Sequence, residues 1–291
     1  MHTEGSQVAA ATRLFSSGVL TKLAKSGDAR EVSALCNAVG IPFSSLGDGT
    51  LGHAFDAAFD LLKLKGLRSE YVYKAALTHN VLLGVHSLAT ASLVSEFRVG
   101  TSKADIVIFN GTSTVYEIKS ERDNLSRLEG QIRDYRKVFA RVFVICAPIH
   151  SKSVEKILPA DVGILTLSRW NRITTIRDAQ DRAPLLCIDT IFASLTNAEA
   201  KSILHICGVP IPLAPNTRLR KELQREFKKL NSIQVHEAMV KTLKKTRSTE
   251  SLKSVLHNLP KSVMPAIMNL RLKRVERDRL IEIMRRPLST L

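Results

Sequence analysis

The sequence predicts an α/β fold, one mixed β-sheet flanked by helices, with helical N- and C-terminal regions outside it. Three observations carry that expectation. Short runs rich in Val, Ile, Phe and Tyr cluster between residues 92 and 176. Stripes of helical period lie before, within and after the cluster. Between two of the runs stands Asn110-Gly111, a strong hairpin signal. At 291 residues and 44% hydrophobic content, the chain can bury one large domain or two to three small ones.

Residues 1 to about 65 read as short helices. His53 to Leu64 places Ala54, Phe55, Ala58, Phe59, Leu61 and Leu62 on one stripe, just after the break at Leu46-Gly47-Asp48-Gly49. A second amphipathic helix is expected from Ser69 to Leu83, with Glu70 in its first turn, where an acid suits the macrodipole. Strands follow at Ser92–Val99, Ala104–Phe109 and Val115–Lys119. Next come a polar helix from about Asn124 to Phe139 and a buried strand from Val142 to Ala147, ended by Pro148. A short helix is expected at Val154–Leu158, then strands at Val162–Leu167 and Ile173–Ile176. From Ile188 the pattern is helical again, broken by Pro210, Pro212 and Pro215. Three regions result: a helical 1–65, an α/β core over 66–185 and a basic helical 186–291.

The formal net charge of +16 points to a polyanionic partner, because clustered Lys and Arg displace counterions from phosphates. The charge is localised. Arg218 to Leu291 holds 19 Lys and Arg against 7 Asp and Glu, three quarters of the excess in a quarter of the length. A set of solvated helix faces would give the same count. Cys36, Cys146, Cys187 and Cys207 lie far apart and read as reduced thiols, and the scattered histidines form no zinc pattern. With no secretory leader pattern and no run of about 18 apolar residues, a cytoplasmic protein without a membrane span is expected.

The chemistry-bearing stretch is Lys103-Ala104-Asp105-Ile106-Val107-Ile108-Phe109, Asn110-Gly111, then Val115-Tyr116-Glu117-Ile118-Lys119. Side chains alternate along a strand, so Glu117 and Lys119 share a face. A three-residue loop over Asn110–Thr112 sets Asp105 opposite Glu117, whereas a two-residue loop would separate the acids. Charged groups are costly inside a sheet, and a divalent ion gives them a reason to be there. Carboxylate oxygens hold Mg²⁺ or Mn²⁺, which neutralises charge on a phosphate and acidifies bound water. A neighbouring lysine can orient that water. An isolated Glu-x-Lys is more often a solvated strand face.

Acid, short hairpin, Glu-x-Lys together resemble the PD-(D/E)XK nuclease superfamily, and Gln131-Ile132-Arg133-Asp134-Tyr135 has the QxxxY spacing of its RecB-like members. The resemblance spans roughly Gly66 to Ile176. It implies a restriction-endonuclease-like core in which Asp105 and Glu117 bind metal and Lys119 assists the attacking water. Gln131 and Tyr135 would face the cleaved strand. An acid on the preceding helix commonly completes such a site; Glu70 is the candidate and Glu96 the runner-up, although Glu96 could instead pair with Arg98 or Lys103. The motif's proline is replaced by Ala104, and no Walker A loop accompanies it.

The expected function is therefore a Mg²⁺- or Mn²⁺-dependent DNA endonuclease serving defence, repair or a mobile element in a bacterium or phage. A non-cutting DNA-binding or regulatory protein on the same fold is the alternative, and an RNA-directed enzyme a weaker one. Phosphate contacts are expected from Arg218, Arg220, Lys221, Arg225, Lys228 and Lys229, and from Arg271, Lys273, Arg274 and Arg277. With aromatic content of 5% and Trp170 alone of its kind, duplex DNA is favoured over base-stacked single strands. A two-fold dimer is the simplest route to a double-strand break.

Overall fold

The computed structural model describes residues 2–64, 68–83, 90–168 and 172–291. Gly66, where the resemblance begins, and Trp170 lie outside them. Four helices come first: α1 (His2–Leu14), α2 (Ser17–Ser26), α3 (Arg30–Val39) and α4 (Leu51–Leu62). They are followed by α5 (Glu70–Leu77), whose chain continues as a wider π-type turn over Thr78–Leu83. The expected Ser69–Leu83 helix is thus present in two geometries.

The sheet has six strands in sequential order: β1 (Ser92–Val99), β2 (Ser102–Asn110), β3 (Thr112–Lys119), β4 (Arg141–Cys146), β5 (Gly163–Leu167) and β6 (Ile173–Arg177). β1, β2 and β3 pair antiparallel; β3–β4 and β4–β5 pair parallel; β6 returns antiparallel. The fold is α/β with a mixed sheet flanked by helices. Each parallel step needs a crossover, supplied by α6 (Leu128–Tyr135) and α7 (Ser151–Ile157). The polar helix is shorter than the sequence suggested, because residues 124–127 form turns in which Asn124 Oδ1 accepts from the Ser126 amide.

Between β2 and β3 the register runs Ile106↔Tyr116, Val107↔Val115 to Asn110↔Thr112, about a turn at Gly111 with φ +67°. A positive φ suits glycine, and Asn-Gly provides it. The same register places Asp105 across from Glu117, the alignment of the longer loop.

After the sheet come α8 (Ile188–Ala193), α9 (Asn197–Ile206), α10 (Asn216–Phe227), α11 (Ser232–Thr246), α12 (Lys253–His257), α13 (Met264–Ile267) and α14 (Arg274–Arg285). Their apolar faces are divided between the two faces of the sheet. Leu219, Leu223, Phe227, Val235, Met239 and Leu243 bury with Val107, Val115, Val144 and Ile164 on one face of the sheet. Leu256, Ile267, Leu280, Ile283 and Met284 bury with Leu14, Leu20, Phe55 and Leu62 of the first helices, and with Ile108, Tyr116, Ile118 and Ile145 on the other face. An alternating strand offers apolar side chains both ways, and helices from both ends of the chain are needed to cover them. The 1–65 segment likewise shares its core with the sheet and the last helices. At the rim, Thr50 bridges Pro287, with the Leu51 amide donating to Arg286 O at 3.0 Å and the Leu288 amide to Gly49 O at 2.9 Å.

Candidate functional site

α5 and α6 lie on opposite faces of the sheet: Tyr71, Val72 and Leu77 belong to the first core, and Leu128, Ile132 and Tyr135 to the second. An open cavity of about 650 Å³ is lined from both sides, by Glu70, Glu96, Asp105, Glu117, Lys119 and Gln131 among others. α5 is held in place by the terminal helices. The Tyr71 ring stacks on Phe15 at 4.4 Å, and its hydroxyl donates to Ser262 O at 2.5 Å.

At the cavity floor, Glu117 is 1% exposed and Lys119 6%. Such a buried pair persists only where its hydrogen bonds are satisfied. Lys119 Nζ donates to Glu117 Oε1 at 2.8 Å and to Gln131 Oε1 at 3.0 Å. The Tyr135 hydroxyl donates to Glu117 Oε2 at 2.9 Å. Gln131 and Tyr135, one helical turn apart, thus grip the Glu117–Lys119 pair from α6. An ammonium has three donors, and among the described residues two of those on Lys119 are used. Burial pushes the Tyr135 hydroxyl well above its ordinary range, reinforced by the Glu117 carboxylate.

Asp105 Oδ2 accepts from the Ile118 amide at 2.7 Å, which pins the side chain beside β3. Burial, then the Glu117 and Glu70 charges, push its carboxyl up to about 8, and the backbone donor only partly offsets this. Burial also raises Glu117, against the pull of Lys119. Carboxyls pushed apart from their ordinary range in a cleft are what a divalent cation would relieve.

A carboxylate oxygen from each of Glu70, Glu96 and Asp105 lies within 4.8 Å of the others. Sequence reasoning offered Glu70 or Glu96 as the third acid; the structure brings both. It leaves Glu117, proposed as a ligand, outside this group with its oxygens turned to Lys119 and Tyr135. The physical reason is mutual neutralisation: a buried carboxylate and ammonium two residues apart on one strand face satisfy each other. Glu96 reaches the group through its backbone. With φ +59° it is the non-glycine residue of positive φ among those described, a conformation costing about 1–2 kcal/mol for an L-residue. The alternation of β1 inverts there, since Val94, Phe97 and Val99 all pack on the second core. Glu96 also pairs with Lys103 and lies 3.6 Å from Lys74, which holds Glu70 at 2.5 Å. Both lysines draw the Glu96 carboxyl below its ordinary range despite burial.

None of the ten C-terminal cations expected to hold phosphate lines this cavity. Their helices sit on different cores, α10 on the second and α14 on the first. Arg220 is built into the fold: it donates to Leu195 O, Asn197 Oδ1 and Phe192 O, and its guanidinium lies 3.9 Å over the Phe192 ring. Arg225 pairs with Glu222, Lys229 with Glu226, Lys228 with Asp189, and Arg274 with Asp278 at 4.0 Å. Arg277 donates to Leu272 O. Arg218, Lys221, Arg271 and Lys273 are exposed.

A family model described as bacteriophage P4 protein cII matches residues 64–271, more than two thirds of the chain. The chain belongs to that family. The matched stretch contains the whole sheet and every residue of the cavity floor. Protein cII of Enterobacteria phage P4 is 29% identical over 126 residues, which make up 42% of this chain and 48% of that protein. The chain therefore spans about half the length of this curated relative. Among solved structures, the SPO1766 protein of unknown function from Silicibacter pomeroyi aligns over 56% of this chain and 87% of its own, at 18% identity and a TM-score of 0.31. That likeness is too slight to inform function. Among the described residues, no helix is long and apolar enough to cross a membrane.

Proposed function

We propose that this cII-family protein is a metal-dependent endonuclease acting on DNA, with the PD-(D/E)XK-like arrangement expected from its motifs. One observation carries the reading. Asp105, Glu117 and Lys119 converge on the floor of an open cavity, joined there by Gln131 from α6 and by acids from α5 and β1. A buried Glu117–Lys119 pair beside a half-buried Asp105 is costly to a fold that gains nothing else from it.

The donors fit a hard divalent cation, since they are all carboxylate oxygens and lie close together. Glu70, Glu96 and Asp105 would hold it, with Glu117 alongside. Bound there, Mg²⁺ or Mn²⁺ would neutralise charge on a phosphodiester and lower the pKa of water. Lys119 holds a proton at Nζ and presents its remaining donor to a phosphate oxygen or an attacking water. Glu117 fixes that ammonium, and Gln131 and Tyr135 fix Glu117 and Lys119. This geometry must be held to about half an ångström.

The test is incubation with supercoiled plasmid and Mg²⁺ or Mn²⁺, comparing wild type, Asp105→Ala and Lys119→Ala, with folding checked by circular dichroism. Cutting that needs metal and is lost in both folded variants supports the proposal. Equal activity in all three, or none in wild type, refutes it.

A further inference from the structure

The cavity mouth carries two cations that neither the acid cluster nor the fold employs. Arg127 precedes α6 and Arg133 lies within it; both line the cavity, and both are exposed. Among the described residues, neither side chain has an ion-pair or hydrogen-bond partner. In the C-terminal basic runs Arg220, Arg225, Lys228, Lys229 and Arg277 have protein partners, and the exposed Arg218, Lys221 and Arg271 lie away from the cavity that Arg127 and Arg133 line. Lys74 and Lys103 are tied to Glu70 and Glu96. Exposed guanidiniums left without a protein partner at the mouth of a cavity are free to bind a further anion.

Between them, Gly130 also lines the cavity, and a methyl group there would meet nothing nearer than Arg133 Nη2 at 3.9 Å. The α6 surface is therefore low where a chain would pass, and raised in charge on either side. Arg127 and Arg133 are six residues apart, about 9 Å along a helix axis. One strand of duplex DNA advances about 3.4 Å per nucleotide, so the two guanidiniums suit phosphates two to three steps apart. The lining holds no aromatic residue, and Ile118 is its one large apolar side chain. Bases would find nothing to stack on there.

We propose that Arg127 and Arg133 form the phosphate grip that seats a DNA strand over the acidic cavity, reading backbone and not base. This rests on the nuclease reading for its choice of DNA. The grip makes cutting indifferent to sequence at the site. It also moves the main DNA contact from the C-terminal helices to α6.

The experiment measures Kd of the full chain for fluorescent duplexes of several unrelated sequences, and for an RNA duplex, in EDTA between 50 and 200 mM salt. The variants are Arg127→Ala, Arg133→Ala, the double variant, and Arg225→Ala/Lys229→Ala as control. Each cavity-mouth arginine should contribute about 0.9 to the slope of log K against log salt, which is about an eightfold loss in affinity at 0.1 M when removed. Expected are such losses on every DNA sequence, with the control unchanged. Unchanged slopes in the Arg127 and Arg133 variants overturn the proposal, as does a larger loss in the control or tighter binding of RNA. Plasmid cutting in Mg²⁺ is read separately. A wild type that binds through these arginines yet never cuts sinks the nuclease reading alone; one that cuts while both variants bind normally sinks the grip alone.

Discussion

Replacing Asp105 by asparagine should make the metal-free protein more stable, at the expense of its capacity for metal. The carboxyl is pushed from 3.8 to about 8 by burial and by Glu117 and Glu70. Below pH 4 both the folded and the unfolded chain hold the proton, and no penalty arises. As pH rises, the unfolded chain gives the proton up first, so stability is lost progressively until the folded group also ionises near pH 8. About four pKa units at roughly 1.4 kcal/mol each give on the order of 5 kcal/mol of strain for the ionised carboxyl in the metal-free protein. Asparagine can still accept from the Ile118 amide through Oδ1, and it carries no charge at any pH. At about 2 °C per kcal/mol for a chain of this size, the variant should melt about 10 °C above wild type at pH 8 in EDTA. At pH 4.5 the two should nearly coincide. Millimolar Mn²⁺ should then raise wild type and leave the variant almost unmoved, because a ligand stabilises only the state that binds it. Differential scanning calorimetry across pH 4.5–8.5, with and without metal, reads all of this. An Asp105→Asn protein that melts below wild type at pH 8 would show that the acids are not mutually strained. One stabilised equally by Mn²⁺ would place the cation elsewhere.

Other perturbations test the supports of the site. Tyr135→Phe removes the hydroxyl donor to the buried Glu117 carboxylate, and a hydrogen bond to a charged group is worth about 1.5–3 kcal/mol; a fall in melting temperature of several degrees is expected at pH 7, and an unchanged one would mean the bond contributes nothing. His236 on α11 is buried and kept below its usual pKa of 6.5 by desolvation, with its Nε2 2.9 Å from Ser113 Oγ, which also accepts from the Ala140 amide. The unfolded chain then binds the extra proton, so stability is present above pH 6.5 and lost as pH falls through it. Urea midpoints for His236→Gln should lack that acid loss, and parallel pH profiles would refute the assignment. Arg220→Lys should cost about 2 kcal/mol by giving up its planar set of donors and the ring of Phe192, while leaving the salt dependence of DNA binding as in wild type; a reduced slope would make Arg220 a phosphate contact after all.

How much of this was legible beforehand depended on whether backbone or packing decided it. The strands announced themselves through Val and Ile runs, and Asn110-Gly111 fixed the hairpin. Once the acids were required to share a face, the Asp105–Glu117 register followed from alternation alone. Glu70 was visible as an acid at a helix start. Glu96 was harder to place, because its reach comes from a left-handed backbone that no non-glycine residue advertises. In the basic C-terminal region the limit was of a different kind. Counting charges cannot show which guanidiniums a fold has already spent, and Arg220 is one. Nor can a helical stripe say which sheet face it will cover, so the division of residues 186–291 between two cores was invisible. Arg127 and Arg133 were hidden in plain sight, within a helix that read simply as polar.

The seam joining Gly49–Leu51 to Arg286–Leu288 has a bearing on when the molecule can work. During synthesis, α1 to α4 and the sheet emerge long before the segment that closes over them. Until Ser262 and α13 have left the ribosome, the Tyr71 hydroxyl lacks the carbonyl that helps to settle α5 and, with it, Glu70. Contacts spanning nearly 240 positions are slow to form. A ribosome-bound chain thus carries Lys119 and Asp105 early but completes its acidic pocket late.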